Sequence, residues 1–174
     1  MYRILDTMVK LIAPVLSFTA DEIWRFMPHQ SEESVHLAQF PVLAPEHKDE
    51  ELVKRWDTMI KVRGEVAKAL ELARVQKIIG HSLDAAVAIA APAELQALLK
   101  QFAADLKNIF IVSKTELLEN LDGAYYTAEG IPGLRIRVTA APGAKCERCW
   151  CYDEEIGQDL EHPAICPKCL AAVK

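Results

Sequence analysis

No stretch of the 174 residues reaches the ~18 consecutive apolar residues that a membrane span needs. The N-terminus lacks the hydrophobic run and small-residue cleavage site of a secretory signal. An excess of positive charge is missing too. Lys and Arg number 20 against 25 Asp and Glu, net −5, whereas a free-standing phosphate binder is usually strongly basic. There is no P-loop, no GxGxxG and no GxSxG, which excludes the Gly-rich phosphate cradles and the nucleophile elbow of hydrolases. His29, His36, His47, His81 and His162 are scattered singly along the chain, with no second histidine beside any of them. No catalytic centre is readable. Internal repeats and low-complexity tracts are absent. What is present, 51% hydrophobic and 26% charged residues, is the composition of an ordinary folded chain. The length allows one domain or a few small modules.

Three regions separate by pattern, and together they predict a mainly α, α+β chain. In residues 1–45, Tyr2 to Ala13 reads as a helix with Ile4, Leu5, Met8, Leu11 and Ile12 on one face, ended or kinked by Pro14. A second helix is expected from Thr19 to Met27. Thr19 and Glu22 have capping-box spacing, and Phe18 and Ile23 are placed as a hydrophobic staple. Asp21 and Glu22 fit cap chemistry better than acid–base chemistry. SVHLAQFP (34–41) reads as extended chain. The chain opens directly in a helix without a cap, which predicts that the native protein extends before Met1.

In residues 46–140 a long helix is expected over 50–79, with Leu52, Trp56, Met59, Ile60, Val66, Ala67 and Leu70 inward and Gly80 as its stop. Leu83, Ala85, Val87 and Ile89 alternate as a strand. Leu95, Leu98, Leu99, Phe102 and Leu106 have helical spacing. IFIVS (109–113) reads as a short strand. LRIRV (134–138) reads as another, paired with Tyr125–Thr127 across the Gly130–Gly133 turn. This is a small α+β module. Pro142-Gly143 then opens the third region, 141–174.

That tail holds all five cysteines. Cys146 and Cys149 form one CxxC, Cys166 and Cys169 another, with sixteen residues between them. The spacing reads as a zinc site. A CxxC turn lets two thiolates point at one ion about 2.3 Å away, and two such turns complete a tetrahedron. A tail of ~30 residues cannot build a core of its own, so the metal supplies folding free energy. Four thiolates leave no open position for water, which makes the ion structural and not hydrolytic. A redox pair or an iron site is the competing reading. Cys151 and His162 stand close enough to substitute as ligands, though the spacing makes Cys151 a bystander.

From Cys146 on, Arg148, Lys168 and Lys174 face six carboxylates, so the finger is not built to grip RNA mainly through phosphates. Contact with nucleic acid would run through Arg148 or through stacking on Trp150. The plainer role for Trp150 is to cover the sulfurs as part of the finger's small core. The acidic run 153–161 reads as a solvated loop. The most basic stretch is Lys54 to Lys77, with seven cations against Asp57, Glu65 and Glu71. Lys54, Lys61 and Lys68 share the polar face. Arg63 and Arg74 fall beside the apolar stripe and need partners, either internal ones or an RNA backbone.

LIAPVLSFTADEIW (11–24), SVHLAQFP (34–41), VRGEVAKALELARVQKIIGHSLDAAV (62–87) and CERCW with CPKC (146–169) together resemble the C-terminal part of bacterial isoleucyl-tRNA synthetases. The first two blocks are shared with the valyl and leucyl enzymes; the last two are more specific. Phe40 stands where the family usually has Trp. The resemblance implies the end of a helical anticodon-binding bundle (1–45), a junction module (46–140) and a zinc finger (141–174). It implies one zinc on Cys146, Cys149, Cys166 and Cys169. It further implies a cytoplasmic, monomeric ligase that joins isoleucine to its tRNA and edits valine. ATP and Mg2+ would serve only the full-length enzyme, because its HIGH-type and KMSKS-type signatures are missing here, and with them the catalytic and editing domains. The partners implied are isoleucine tRNA, through its anticodon stem-loop, and the remainder of the synthetase. Candidate RNA contacts are Lys54, Lys61, Arg63, Lys68, Arg74, Arg148 and Trp150. Two other classes share part of this pattern: a zinc-ribbon scaffold that binds a protein, and the DNA-binding finger of formamidopyrimidine-DNA glycosylases.

Overall fold

The computed structural model describes residues 1–42 and 48–173. The expected boundary between residues 45 and 46 lies outside the described residues, as do His47 and Lys174. The chain divides into two compact units, Met1–Asp49 and Glu50–Lys174.

In the first unit, helix α1 (Tyr2–Ile12) and helix α2 (Ser17–Phe26) are followed by a 3-10 turn at Val35–Leu37. Two short helices bury only the faces they turn to each other. That core is Val9, Ala13, Ala20, Trp24, Met27 and Val35. Ile4, Leu5, Met8 and Leu11, the expected inward face of α1, are exposed, and only Ile12 of that set packs on the core. Helix α2 starts two residues before Thr19, with Leu16 at its N-cap and no side-chain cap, so the expected capping box is not formed. Phe18 is 93% exposed and makes no staple. Asp21 instead accepts a hydrogen bond from the Ser34 hydroxyl at 2.6 Å, and the Trp24 indole donates to the Glu32 carbonyl at 2.9 Å. Those two bonds fold the 34–37 segment back onto α2. They explain why it is a turn and not the extended chain its alternation predicts.

The second unit opens with helix α3 (Glu50–Val75). Its buried stripe is Met59, Val62, Glu65, Val66, Ala69, Leu70 and Ala73. Leu52, Trp56, Ile60 and Ala67 lie off it and are exposed, because nothing is buried on the helix before Met59. The helix ends at Val75, ahead of the expected 79. Lys77 adopts φ 59°, its N–H donates to the Arg74 carbonyl at 3.0 Å, and the Ile78 N–H reaches back to Ala73 at 2.9 Å. This is a Schellman closure with lysine in the left-handed position that glycine ordinarily takes. Lys77→Gly is therefore expected to stabilise the unit by about 0.5–1 kcal/mol, read as a higher urea midpoint; a lower midpoint would contradict the strain.

A 3-10 turn at Ser82–Asp84 leads into strand β1 (Ala85–Ala90). Helix α4 (Ala93–Gln101) and helix α5 (Leu106–Phe110) cross over to strand β2 (Lys114–Leu117), which runs parallel to β1. The expected strand at 109–113 is thus a correction. A short apolar run serves helix or strand equally well, and here Leu106 and Phe110, one turn apart, both enter the core. Ile111 at φ 58° then turns the chain, with the Val112 N–H on the Lys107 carbonyl. Strand β3 (Tyr126–Thr127) and strand β4 (Arg135–Ala140) complete a sheet of order β2-β1-β4-β3, with β4 antiparallel to both neighbours. The main core lies between this sheet, α3, α4 and α5, around Met59, Val62, Val66, Ile89, Leu99, Leu134 and Ile136. On the opposite sheet face Leu121 covers Ala88 and Ala90. The tail adds a two-stranded ribbon, β5 (Ala144–Lys145) with β6 (Tyr152–Asp153), and the short helix α6 (Pro167–Leu170).

Candidate functional site

The ribbon β5–β6 brackets the first CxxC. Cys146 N–H donates to the Cys151 carbonyl and Trp150 N–H to the Cys146 carbonyl, both at 2.9 Å, which bends residues 146–151 into a tight loop. Gly143 enters that ribbon at φ 91°, where a Cβ would stand 2.3 Å from the Asp153 carbonyl oxygen; only glycine lets the two backbones approach so closely. The second CxxC sits at the start of α6, with Pro167 pre-setting its first turn. Glu147 N–H donates to the Ala164 carbonyl, joining the two halves.

This folding gathers Cys146, Cys149, Cys166 and Cys169, whose sulfurs all lie within 4.8 Å of one another. Cys149 and Cys166 are 3.7 Å apart, and the Cys166 N–H points at the Cys146 sulfur from 3.3 Å. Burial pushes the Cys146 thiol up, but the backbone N–H groups of Cys149, Cys166 and Arg148 outweigh it and hold the thiol at about 6. Burial raises Cys149 and Cys166. Four sulfurs this close cannot all ionise unaided. A divalent cation among them reverses that balance, and thiolates at tetrahedral distances are the donor set zinc prefers. The cluster therefore fits one structural zinc, with no vacant coordination position for water. Cys151, half-buried, is not part of the cluster, and neither is His162.

Trp150 does not cover the sulfurs. Ile156 and Ile165 do that, while Trp150, at φ 64°, is 62% exposed with Lys145 Nζ 6.0 Å from its ring. The left-handed backbone at Trp150, which closes the knuckle, turns its indole outward. The finger is joined to the sheet by a link that sequence reasoning missed. Ser113 donates its hydroxyl to the Leu83 carbonyl at 2.5 Å and accepts the Tyr152 N–H at 2.7 Å. Lys114 lies 3.6 Å from Glu154.

The cationic helix is less uniform than its composition. Lys54 and Lys61 are exposed and make no ion pair among the described residues. Lys68 is held 2.8 Å from the buried Glu65. Arg63 Nε donates to the Ile109 carbonyl at 3.0 Å. Arg74 Nε donates to the Gly80 carbonyl at 3.3 Å and its guanidinium pairs with Glu71. Both arginines thus have internal partners. The Arg148 side chain, exposed on the finger, makes no ion pair among the described residues. No helix among the described residues is long and apolar enough to cross a membrane.

A family model described as the anticodon-binding domain of tRNA ligase matches residues 1–89. A second, the zinc finger found in FPG and IleRS, matches residues 143–172. The isoleucine–tRNA ligase of Geobacter sulfurreducens is 63% identical over 174 residues, covering 100% of this chain and 19% of the relative. The corresponding ligases of Syntrophotalea carbinolica and Caldanaerobacter subterraneus are 50% and 45% identical, over 99% and 100% of the chain. The chain spans about a fifth, 19%, of the length of these relatives. It belongs to the anticodon-binding domain family of tRNA ligases, and its homologues from end to end are isoleucine–tRNA ligases.

Proposed function

We propose that this chain is the C-terminal, tRNA-binding region of a cytoplasmic, monomeric isoleucine–tRNA ligase. The observation that carries this reading is the match to isoleucine–tRNA ligases over the whole chain at 63% identity. Its task is to hold the anticodon end of isoleucine tRNA so that the acceptor end reaches an active site elsewhere in the enzyme. ATP and Mg2+ belong to that distant site. In this reading residues 1–45 are the end of the anticodon-binding bundle, 46–140 the junction module and 141–174 the zinc finger. Cys146, Cys149, Cys166 and Cys169 hold the zinc, which supplies a rigid closed crosslink. Lys54, Lys61 and Arg148 contact phosphates, and Trp150 offers a stacking face, supported by their exposure. Phosphate contacts position the RNA while splayed loop bases are read by stacking and edge hydrogen bonds. Lys68 and Arg74 contribute less, because Glu65, Glu71 and the Gly80 carbonyl already engage them.

Reversing Lys54, Lys61 and Arg148 to Glu tests this. Affinity for an isoleucine tRNA is expected to fall, and the slope of log affinity against log salt to shrink by roughly 0.7–0.9 for each phosphate left without its cation. Lys68→Gln should change binding little. Unaltered affinity and salt slope in the triple variant would reduce these residues to an ordinary solvated surface.

A further inference from the structure

The N-terminal half of α3 and the α4–α5 corner enclose a groove of about 550 Å³ that the zinc centre does not use. Its apolar wall is Trp56, Ile60 and Phe102. The Trp56 and Phe102 rings meet edge to face, centroids 5.6 Å apart, yet Trp56 is 40% exposed and Ile60 60%. Three polar side chains line the same groove: Arg63, Asp105 and Asn108. Arg63 spends only its Nε on the Ile109 carbonyl. Asp105 stands at the N-cap of α5 without forming a cap bond. Asn108 makes no side-chain hydrogen bond among the described residues. Donors and acceptors are thus left free beside a flat apolar wall.

The surroundings select the occupant. Between Lys54 and Arg63, and between Lys100 and Ile109, six cations face two carboxylates, in a chain that carries −5 overall. An apolar protein helix laid here would bury Arg63, Asp105 and Asn108 without partners, which is costly. A nucleobase has the opposite make-up, a flat π face with a hydrogen-bonding edge, attached to an anionic backbone that suits the cationic rim. We propose that this groove receives one unpaired base of the bound RNA, stacked on Trp56 and held at its edge by Arg63, Asp105 and Asn108. The inference rests on the tRNA-binding reading above and assigns a base to a part of the surface away from the finger.

The test uses the zinc-loaded chain with two RNAs, an isoleucine tRNA anticodon stem-loop and a blunt duplex of the same stem with no unpaired bases. Trp56→Ala should weaken stem-loop binding about 5- to 150-fold, the range for losing one stacked base, and leave duplex binding unchanged. Trp56→Phe, which keeps a stacking face and the wall, should retain most of the affinity. It also guards against a folding defect in the alanine variant. Lys61→Glu should weaken both RNAs alike. A 2-aminopurine placed in the loop should be quenched by the unsubstituted chain and not by Trp56→Ala. If Trp56→Ala leaves stem-loop affinity and quenching intact, or weakens both RNAs equally, the base pocket is overturned while RNA binding stands. If the unsubstituted chain binds neither RNA, the tRNA reading falls and this inference with it.

Discussion

Stripping the zinc is expected to unfold the tail, about residues 143–172, while the helix–sheet module stays folded. The two have separate cores. The module rests on α3 and the four-stranded sheet around Met59, Ile89, Leu99 and Ile136. The tail has only Ile156 and Ile165 packed on the cysteines, and its ribbon is two residues long on each strand. So little burial cannot offset the entropy of ordering thirty residues. A structural zinc contributes roughly 10–16 kcal/mol of apparent binding free energy, which here is folding free energy. Chelation should release about one zinc per chain and make four additional thiols reactive. Amide protection should vanish across the finger and persist in β1 and β4. Cys166→Ser should reproduce this without a chelator, whereas Cys151→Ser should keep the metal. Purified chain without zinc, and with all thiols freely titratable in its folded state, would contradict the metal centre.

What could be read from the sequence, and what could not, follows one physical line. Features fixed by local chemistry were legible: the paired CxxC turns, the alternating strand of β4 with its partner at Tyr126–Thr127, the helices α1, α3 and α4. Features fixed by which neighbour covers a face were not. The apolar stripe of α3 reads as Leu52, Trp56, Met59, Ile60, Val66, Ala67 and Leu70; Met59, Val66 and Leu70 are buried, but burial begins only at Met59, so Leu52, Trp56 and Ile60 stay exposed, and Val62, Glu65, Ala69 and Ala73 fill the rest of the buried face. IFIVS has no period long enough to separate helix from strand. The helix stop failed for a different reason. Gly80 is the residue expected there, yet Lys77 accepts the strained conformation three residues earlier. Trp150 looked like core because large aromatics usually are. Its exposure follows from a backbone angle that no composition reveals. At the site, the four sulfurs were fully legible, but the Ser113 hydroxyl that anchors the finger carries no sequence signal, since serine is common in turns for many reasons.

The buried carboxylate of Glu65 gives the other large effect. It is 6% exposed in the middle of the α3 stripe, and it accepts from Lys68 at 2.8 Å, from the Tyr126 hydroxyl at 2.8 Å and from the Glu129 N–H at 3.2 Å. Gly130 allows this close approach, since a Cβ there would lie 3.0 Å from the carboxylate. One side chain thus fastens the β3–β4 hairpin to the long helix. Glu65→Gln keeps the volume but turns an amide donor toward groups that are themselves donors. It is expected to cost about 1–3 kcal/mol, the range for buried donors left unpaired. Glu65→Ala should cost more, because it also leaves a cavity. The hydrogen bond from Lys68 leads the effects that hold the Glu65 carboxyl below its ordinary value, against burial. A carboxylate depressed on folding contributes stability that is complete above its unfolded value and lost as the pH falls through the folded one. Burial and the bond to Glu65 push Tyr126 up, so its contribution is complete below the ordinary phenol value and lost as the pH rises past it. Unfolding free energy of the unsubstituted chain should therefore drop on both sides of neutrality. In Glu65→Gln the acid-side drop should shrink, because the titrating group is gone, and urea midpoints measured from pH 3 to 8 would read this directly. Parallel pH profiles for the two proteins would mean that Glu65 does not fasten the hairpin through its charge.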